Sequence, residues 1–138
     1  MNTKIIADTS VWIEFFRNEA SLVSETLKQL LRSGRVALTG MVLAEILQGI
    51  RSPREARLVK GHLESLPFAE VPKNIWLQAG EMSAALRKKG LTIPLSDILI
   101  ASAAVHEEGY EVFPIDPHFQ KIPGLALHKP APASPPRP

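Results

Sequence analysis

The sequence predicts an α/β domain built on a mostly parallel β-sheet with helices covering both faces. Short apolar runs alternate along the chain with longer stretches of helical periodicity, and glycine or proline separates them. The 138 residues are enough for one ordinary core, because a second core would leave each half near the size where packing alone stops being sufficient. Hydrophobic residues make up 45% and charged residues 22%, close to the globular average, which excludes a disordered polyelectrolyte or a collagen-like repeat.

Ile5-Ile6-Ala7 reads as a buried strand ending at Asp8, and Val11, Trp12, Phe15 and Phe16 recur after it with helical spacing. Ser21 caps a second helix with the stripe Leu22, Val23, Thr26, Leu27, Leu30 and Leu31, and Gly34 stands where a left-handed C-terminal cap belongs. Residues 36–39 are short, partly β-branched and bounded by Gly34 and Gly40, a second strand leading into a helix over 41–50. Ser52-Pro53-Arg54-Glu55 has the form of a capping box with proline at the first helical position. Leu58, Val59, His62, Leu63 and Leu66 supply the buried face of that helix before Pro67 ends it.

Residues 68–71 read as a strand, and Pro72 opens a long helix with Ile75, Ala79, Met82 and Leu86 on one side, closed by Gly90. Ser96-Asp97 starts another, carrying Ile98, Ala101, Ser102 and Val105 as far as Gly109. Residues 110–115 form a strand in which Pro114 marks an edge or an irregular exit, and 125–127 form a last short strand. The domain therefore occupies residues 1–128. Residues 129–138, Lys-Pro-Ala-Pro-Ala-Ser-Pro-Pro-Arg-Pro, form an extended proline-rich tail.

The absence of cysteine excludes disulfides, thiolate metal sites and a cysteine nucleophile, so any metal must be held by oxygen or imidazole. The first apolar run is too short for a signal peptide or membrane helix, which predicts a soluble cytoplasmic protein with no membrane partner. A formal charge of only +2 means that nucleic-acid binding must rest on local patches.

Four carboxylates stand where an α/β fold gathers ligands. Asp8 ends the first strand and Asp116 follows the late one, and sites in parallel sheets lie outside such carboxyl ends. Asp97 lies in the first turn of its helix. Glu45 borders the stripe of Leu43, Ile46, Leu47 and Ile50. Each acid alone has an ordinary structural use as a turn starter, a first-turn acid or a solvated edge. Together, without matching basic residues, they would repel one another and need a cation to remain ionised, and hard oxygen donors select Mg2+ or Mn2+. An open site of this kind suits phosphodiester hydrolysis and requires no side-chain nucleophile. The hydroxyls of Thr9 and Ser10 lie next to the first carboxylate, where they either support the site or cap the following helix.

Four blocks carry a family resemblance: Ile6-Ala7-Asp8-Thr9-Ser10-Val11-Trp12-Ile13-Glu14-Phe15, Ala44-Glu45-Ile46-Leu47-Gln48-Gly49, Leu95-Ser96-Asp97-Ile98-Leu99-Ile100-Ala101, and Ile115-Asp116-Pro117-His118-Phe119 followed by Ile122-Pro123-Gly124-Leu125. In this order the chain resembles the PIN-domain ribonucleases, and within them the VapC-type toxins of bacterial type II toxin–antitoxin pairs. The resemblance implies a three-layer α/β/α fold and an endoribonuclease dependent on Mg2+ or Mn2+, with its acidic positions at Asp8, Glu45, Asp97 and Asp116 and the hydroxyl of Ser10 or Thr9 close to the metal. It also implies structured RNA such as tRNA or rRNA as substrate, a homodimer, and a cognate VapB-type antitoxin that blocks the acidic pocket and carries the DNA-binding part. One position departs from the pattern. Pro114, two residues before Asp116, stands where such toxins often carry threonine or serine, and it has neither hydroxyl nor N–H, so Asp116 is either a ligand or a source of negative potential only.

Arg51, Arg54, Arg57 and Lys60 recur about one helical turn apart and form a candidate phosphate-contact stripe; the bland alternative is a solvated helix face. Trp12, Phe15 and Phe16 read as core or interface residues rather than base-stacking platforms, and His118, close to Asp116, as a surface histidine in a turn, with a contact to substrate as the alternative. A catalytically silent PIN-like binding module is the competing reading. A receiver-like phosphoacceptor fits less well, because the first strand ends in one acid rather than a pair and the late strand lacks a lysine.

Overall fold

A computed structural model describes residues 3–106 and 109–130. In chain order these form β1 (Lys4–Ala7), α1 (Thr9–Arg17), α2 (Leu22–Arg32), β2 (Val36–Ala37), α3 (Gly40–Gln48), α4 (Pro53–Leu63), α5 (Lys73–Lys88), α6 (Leu95–His106), β3 (Tyr110–Phe113) and a 3-10 helix over Pro117–Lys121. The alternation read from the sequence is thus an α/β fold with an all-parallel sheet.

β1 is the central strand, flanked by β2 and β3. Ile5 pairs with Val36 and Ile6 with Ala37 on one side, while Ile6 pairs with Val112 and Ala7 with Phe113 on the other. Ile5, Ile6 and Ala7 are all buried, as are Val112 and Phe113. Successive strand residues point to opposite faces, so uninterrupted burial means that both faces are covered. α6 packs on β3 and α5 on α6, while α1 packs against α2 and α3. Residues 98–104 of α6 are buried all round, as expected of a helix sandwiched in the core rather than lying on its surface.

Local chemistry sets the helix ends. Ser21, Thr39 and Ser52 cap α2, α3 and α4 by accepting from the backbone N–H three residues on, at 3.1, 3.3 and 3.1 Å. Gly34 and Gly90 follow α2 and α5 with φ of +69° and +82°, a conformation that costs other L-residues steric strain.

Several expected boundaries shift. The strands read at 68–71 and 125–127 each contract to one parallel bridge, Leu38 with Phe68 and Val112 with Leu127. The causes are local to their partners. The chain enters α3 at Gly40, two residues after Leu38, and the next outward-facing residue after Val112 is Pro114, which has no N–H to give. β3 ends at Phe113 and not at residue 115 because its partner β1 gives way to α1, where the Asp8 carbonyl accepts from the N–H groups of Val11 and Trp12. On α4 only Val59 and Leu63 are buried; Leu58 is 61% exposed and His62 is exposed, because this helix packs mainly on α3 and buries a narrow stripe. Lys129 and Pro130 carry no regular secondary structure, and the remainder of the proline-rich tail, residues 131–138, lies outside the described residues.

Phe119 is fully buried and fastens the 3-10 helix to the core. Phe119→Ala should lower the unfolding free energy by roughly 3–5 kcal/mol in denaturant titration, the usual cost of emptying a buried aromatic site. A loss under about 1 kcal/mol would contradict this anchoring.

Candidate active site

The four acids arrive from four places. Asp8 follows β1 at the N-cap position of α1 and is only 4% exposed. Its side chain does not cap the helix; it accepts a hydrogen bond from the Ser10 hydroxyl at 2.5 Å. The Thr9 hydroxyl donates to Glu45 Oε1 at 2.8 Å, tying the start of α1 to the middle of α3. Both hydroxyls therefore serve carboxylates rather than helix ends. Asp97 sits in the first turn of α6. Asp116 caps the 3-10 helix, its Oδ1 accepting from the His118 backbone N–H at 3.0 Å.

The structure also brings His118 into this group rather than leaving it on the surface of a turn. Its Nδ1 lies 3.0 Å from Asp116 Oδ1 and 3.7 Å from Asp97 Oδ2. Asp97, Asp116 and His118 each offer a ligand atom within 4.8 Å of the others. A local signal existed: an Asp-Pro turn start folds the second residue after the aspartate back toward its carboxylate.

The electrostatics register this convergence. Asp97 is pushed up to about 6, chiefly by burial and then by the charges of Asp8 and Asp116, with the nearby His118 imidazole opposing and Glu45 adding. Burial also raises Asp8, against the pull of the Ser10 hydroxyl, and the Glu45 charge adds to the rise. Among the described residues no lysine or arginine forms an ion pair with any of the four acids. A partly buried, oxygen-rich group with one imidazole and no fixed countercharge fits a divalent cation.

The remaining candidates lie elsewhere. Arg51, Arg54, Arg57 and Lys60 are all exposed, the last three on α4, and none pairs with the acids. Trp12 is fully buried, with the Phe15 and Phe16 ring centroids 5.8 and 6.0 Å from its own, so this trio belongs to the packing.

An acid whose folded pKa is raised binds its proton more tightly in the folded state, so it makes stability fall as pH rises from the unfolded value near 4 through 6. Asp97→Asn should therefore stabilise the chelator-treated protein at pH 7 by on the order of 2 kcal/mol, with the gain fading as pH drops toward 4. Denaturant unfolding across that range measures it; an Asn variant less stable than the parent at pH 7 would refute the assignment.

Comparison with known proteins agrees with this architecture. The chain is 26% identical over 124 residues to Ribonuclease VapC2 of Rickettsia felis, covering 87% of this chain and 92% of that protein. It is 29% identical over 122 residues to Ribonuclease VapC11 of Mycobacterium tuberculosis, covering 86% and 90%. The fold superposes on the crystal structure of DNA-bound VapBC from Salmonella typhimurium with a TM-score of 0.77 and 23% identity, over 92% of this chain and 98% of that one. Residues 5–125, from β1 past the 3-10 helix and therefore including all four acids, match the PIN domain, and the chain belongs to that family.

Proposed function

We propose that this chain is a metal-dependent endoribonuclease of the VapC type, a toxin that hydrolyses phosphodiester bonds in tRNA or rRNA and is neutralised by a cognate VapB-type antitoxin. The observation that carries the reading is the mutual influence of Asp8, Glu45, Asp97 and Asp116 at one end of a parallel sheet with no basic residue paired to them. The ribonuclease relatives, matched over nearly their full length, support it.

In this reading Asp8, Asp97 and Asp116 hold the ion, Glu45 acts through a water, and all four are the catalytic acids. Bound there, Mg2+ or Mn2+ supplies an activated water and offsets charge on the transition state. Ser10 holds the Asp8 carboxylate in one orientation and Thr9 does the same for Glu45. Arg51, Arg54, Arg57 and Lys60 contact substrate phosphates.

The antitoxin inhibits by inserting a basic side chain among the carboxylates, replacing the cation electrostatically. A cleft of about 100 Å³ lined by Ile13, Phe16, Ile46, Ile50 and Val59 opens beside Glu45 and offers that partner apolar contact. The protein works in the cytoplasm as a homodimer and meets DNA only through the antitoxin. Among the described residues no helix is long and apolar enough to cross a membrane.

Purified protein free of antitoxin should cut cellular RNA into discrete fragments with Mg2+ or Mn2+. Chelation should abolish this, and Asp8→Asn should reduce it by roughly 10²–10³-fold or more with an unchanged circular dichroism spectrum. Full activity in the Asn variant would exclude this site. On that inactive background, Arg54→Ala and Arg57→Ala should each lower the slope of log affinity for RNA against log salt by about 0.7, and an unchanged slope would assign the stripe to solvent.

A further inference from the structure

We infer that His118 is a nitrogen ligand of the carboxylate site and makes it hold Mn2+ in preference to Mg2+. The inference rests on the metal-dependent reading above and adds to it the residue that sets ion choice.

His118 Nδ1 is buried, and although it lies close to two carboxylate oxygens it makes no aligned hydrogen bond to either. Its separations of 3.0 and 3.7 Å from Asp116 Oδ1 and Asp97 Oδ2 suit atoms sharing one ion. Donors ~2.1 Å from a common centre lie ~3 Å apart when adjacent and ~4.2 Å apart when opposite. The ring has little freedom to leave. Its backbone N–H is held by Asp116, Pro117 precedes it, and the neighbouring Phe119 is fully buried. The side chain as a whole is 39% exposed while Nδ1 is shielded, so the imidazole turns one nitrogen inward.

Mg2+ demands oxygen donors and surrenders its waters reluctantly, whereas Mn2+, which carboxylate and water also suit, belongs to the first-row series whose members bind mixed nitrogen and oxygen sites, and it accepts one imidazole more readily than Mg2+ does. One inward nitrogen in an otherwise carboxylate set therefore tilts the site toward Mn2+. The contrasting role is an imidazolium that merely neutralises Asp97 and Asp116. That role has the opposite sign, because a cation in the site competes with the metal, and removing it would tighten metal binding.

No other histidine confuses the test. The His128 Nδ1 lies 3.4 Å from Glu111, the His62 ring lies 6.3 Å from that of Phe16, and His106 ends α6. Pulsed electron paramagnetic resonance of the Mn2+-loaded full chain should show the nitrogen coupling of a directly bound imidazole, absent in His118→Ala. Calorimetric titration should show that variant losing about tenfold in Mn2+ affinity, with Mg2+ affinity changed less than about twofold. Bound Mn2+ without nitrogen coupling, or a variant that binds Mn2+ as tightly as the parent or more tightly, would overturn the inference while metal-dependent RNA cleavage left the nuclease reading standing. Failure of the wild type to bind either ion would overturn both.

Discussion

β1 and β3 come from opposite ends of the domain, and at their last rung the Asp8 N–H donates to the Phe113 carbonyl at 2.9 Å. Parallel strands finish on the same side of a sheet, so beyond this rung both chains emerge together. One continues as Asp8 and α1; the other is turned aside by Pro114 and delivers Asp116 and His118 on a short 3-10 helix. α6, packed on β3, presents Asp97 to the same place, and α3 brings Glu45 within reach of Thr9. If this pairing slipped by one residue, the strand faces would exchange and the acids would no longer meet.

Gathering these groups works against stability. Burial and neighbouring charge hold the carboxyls of Asp8 and Asp97 above their ordinary range, the mark of a site whose ionised form is unfavourable until a positive partner arrives. The scaffold tolerates this because the acids sit at the margin of a well-filled core that includes Trp12, Phe113, Phe119, Ile98 and Ile100. Two hydroxyls and one backbone N–H fix the carboxylates of Asp8, Glu45 and Asp116, so the cluster stands ready in advance of any ligand. The same electrostatics explain why a metal and a basic side chain of a partner are alternatives in the proposed function: either relieves the repulsion.

The helices were readable because their signals are local. A serine or threonine cap, a proline at the first position, a glycine past the end and a stripe of apolar residues all act within one or two turns; α2 and α5 follow them closely, while α3 starts at Gly40 behind a Thr39 cap read as strand and α4 stops at Leu63, short of Pro67. The strands were readable only in part. β1 stood out as a short apolar run, but residues 68–71 and 125–127 carry the same composition and form one bridge each. What limits them is the partner strand, where the entry into α3 at Gly40 and the missing N–H of Pro114 halt the ladder. The exposed Leu58 and His62 of α4 make the same point about helix faces, since apolar spacing shows which side is eligible for burial but not how wide a neighbour will cover it.

The acids divide along the same line. Their identities were determined by the sequence itself, as were the places of Asp8 after a strand, Asp97 on the first turn of a helix and Glu45 beside the apolar stripe of another, and the hydroxyls beside Asp8. His118 was different: its role depends on a ring nitrogen lying 3.0 Å from one carboxylate and 3.7 Å from another that is 21 residues earlier in the chain. Only the closed sheet decides such distances. Short-range rules act through backbone geometry over a few residues, whereas the meeting of Asp8, Glu45, Asp97 and Asp116 depends on the parallel register of strands more than 100 residues apart and on the helices packed against them.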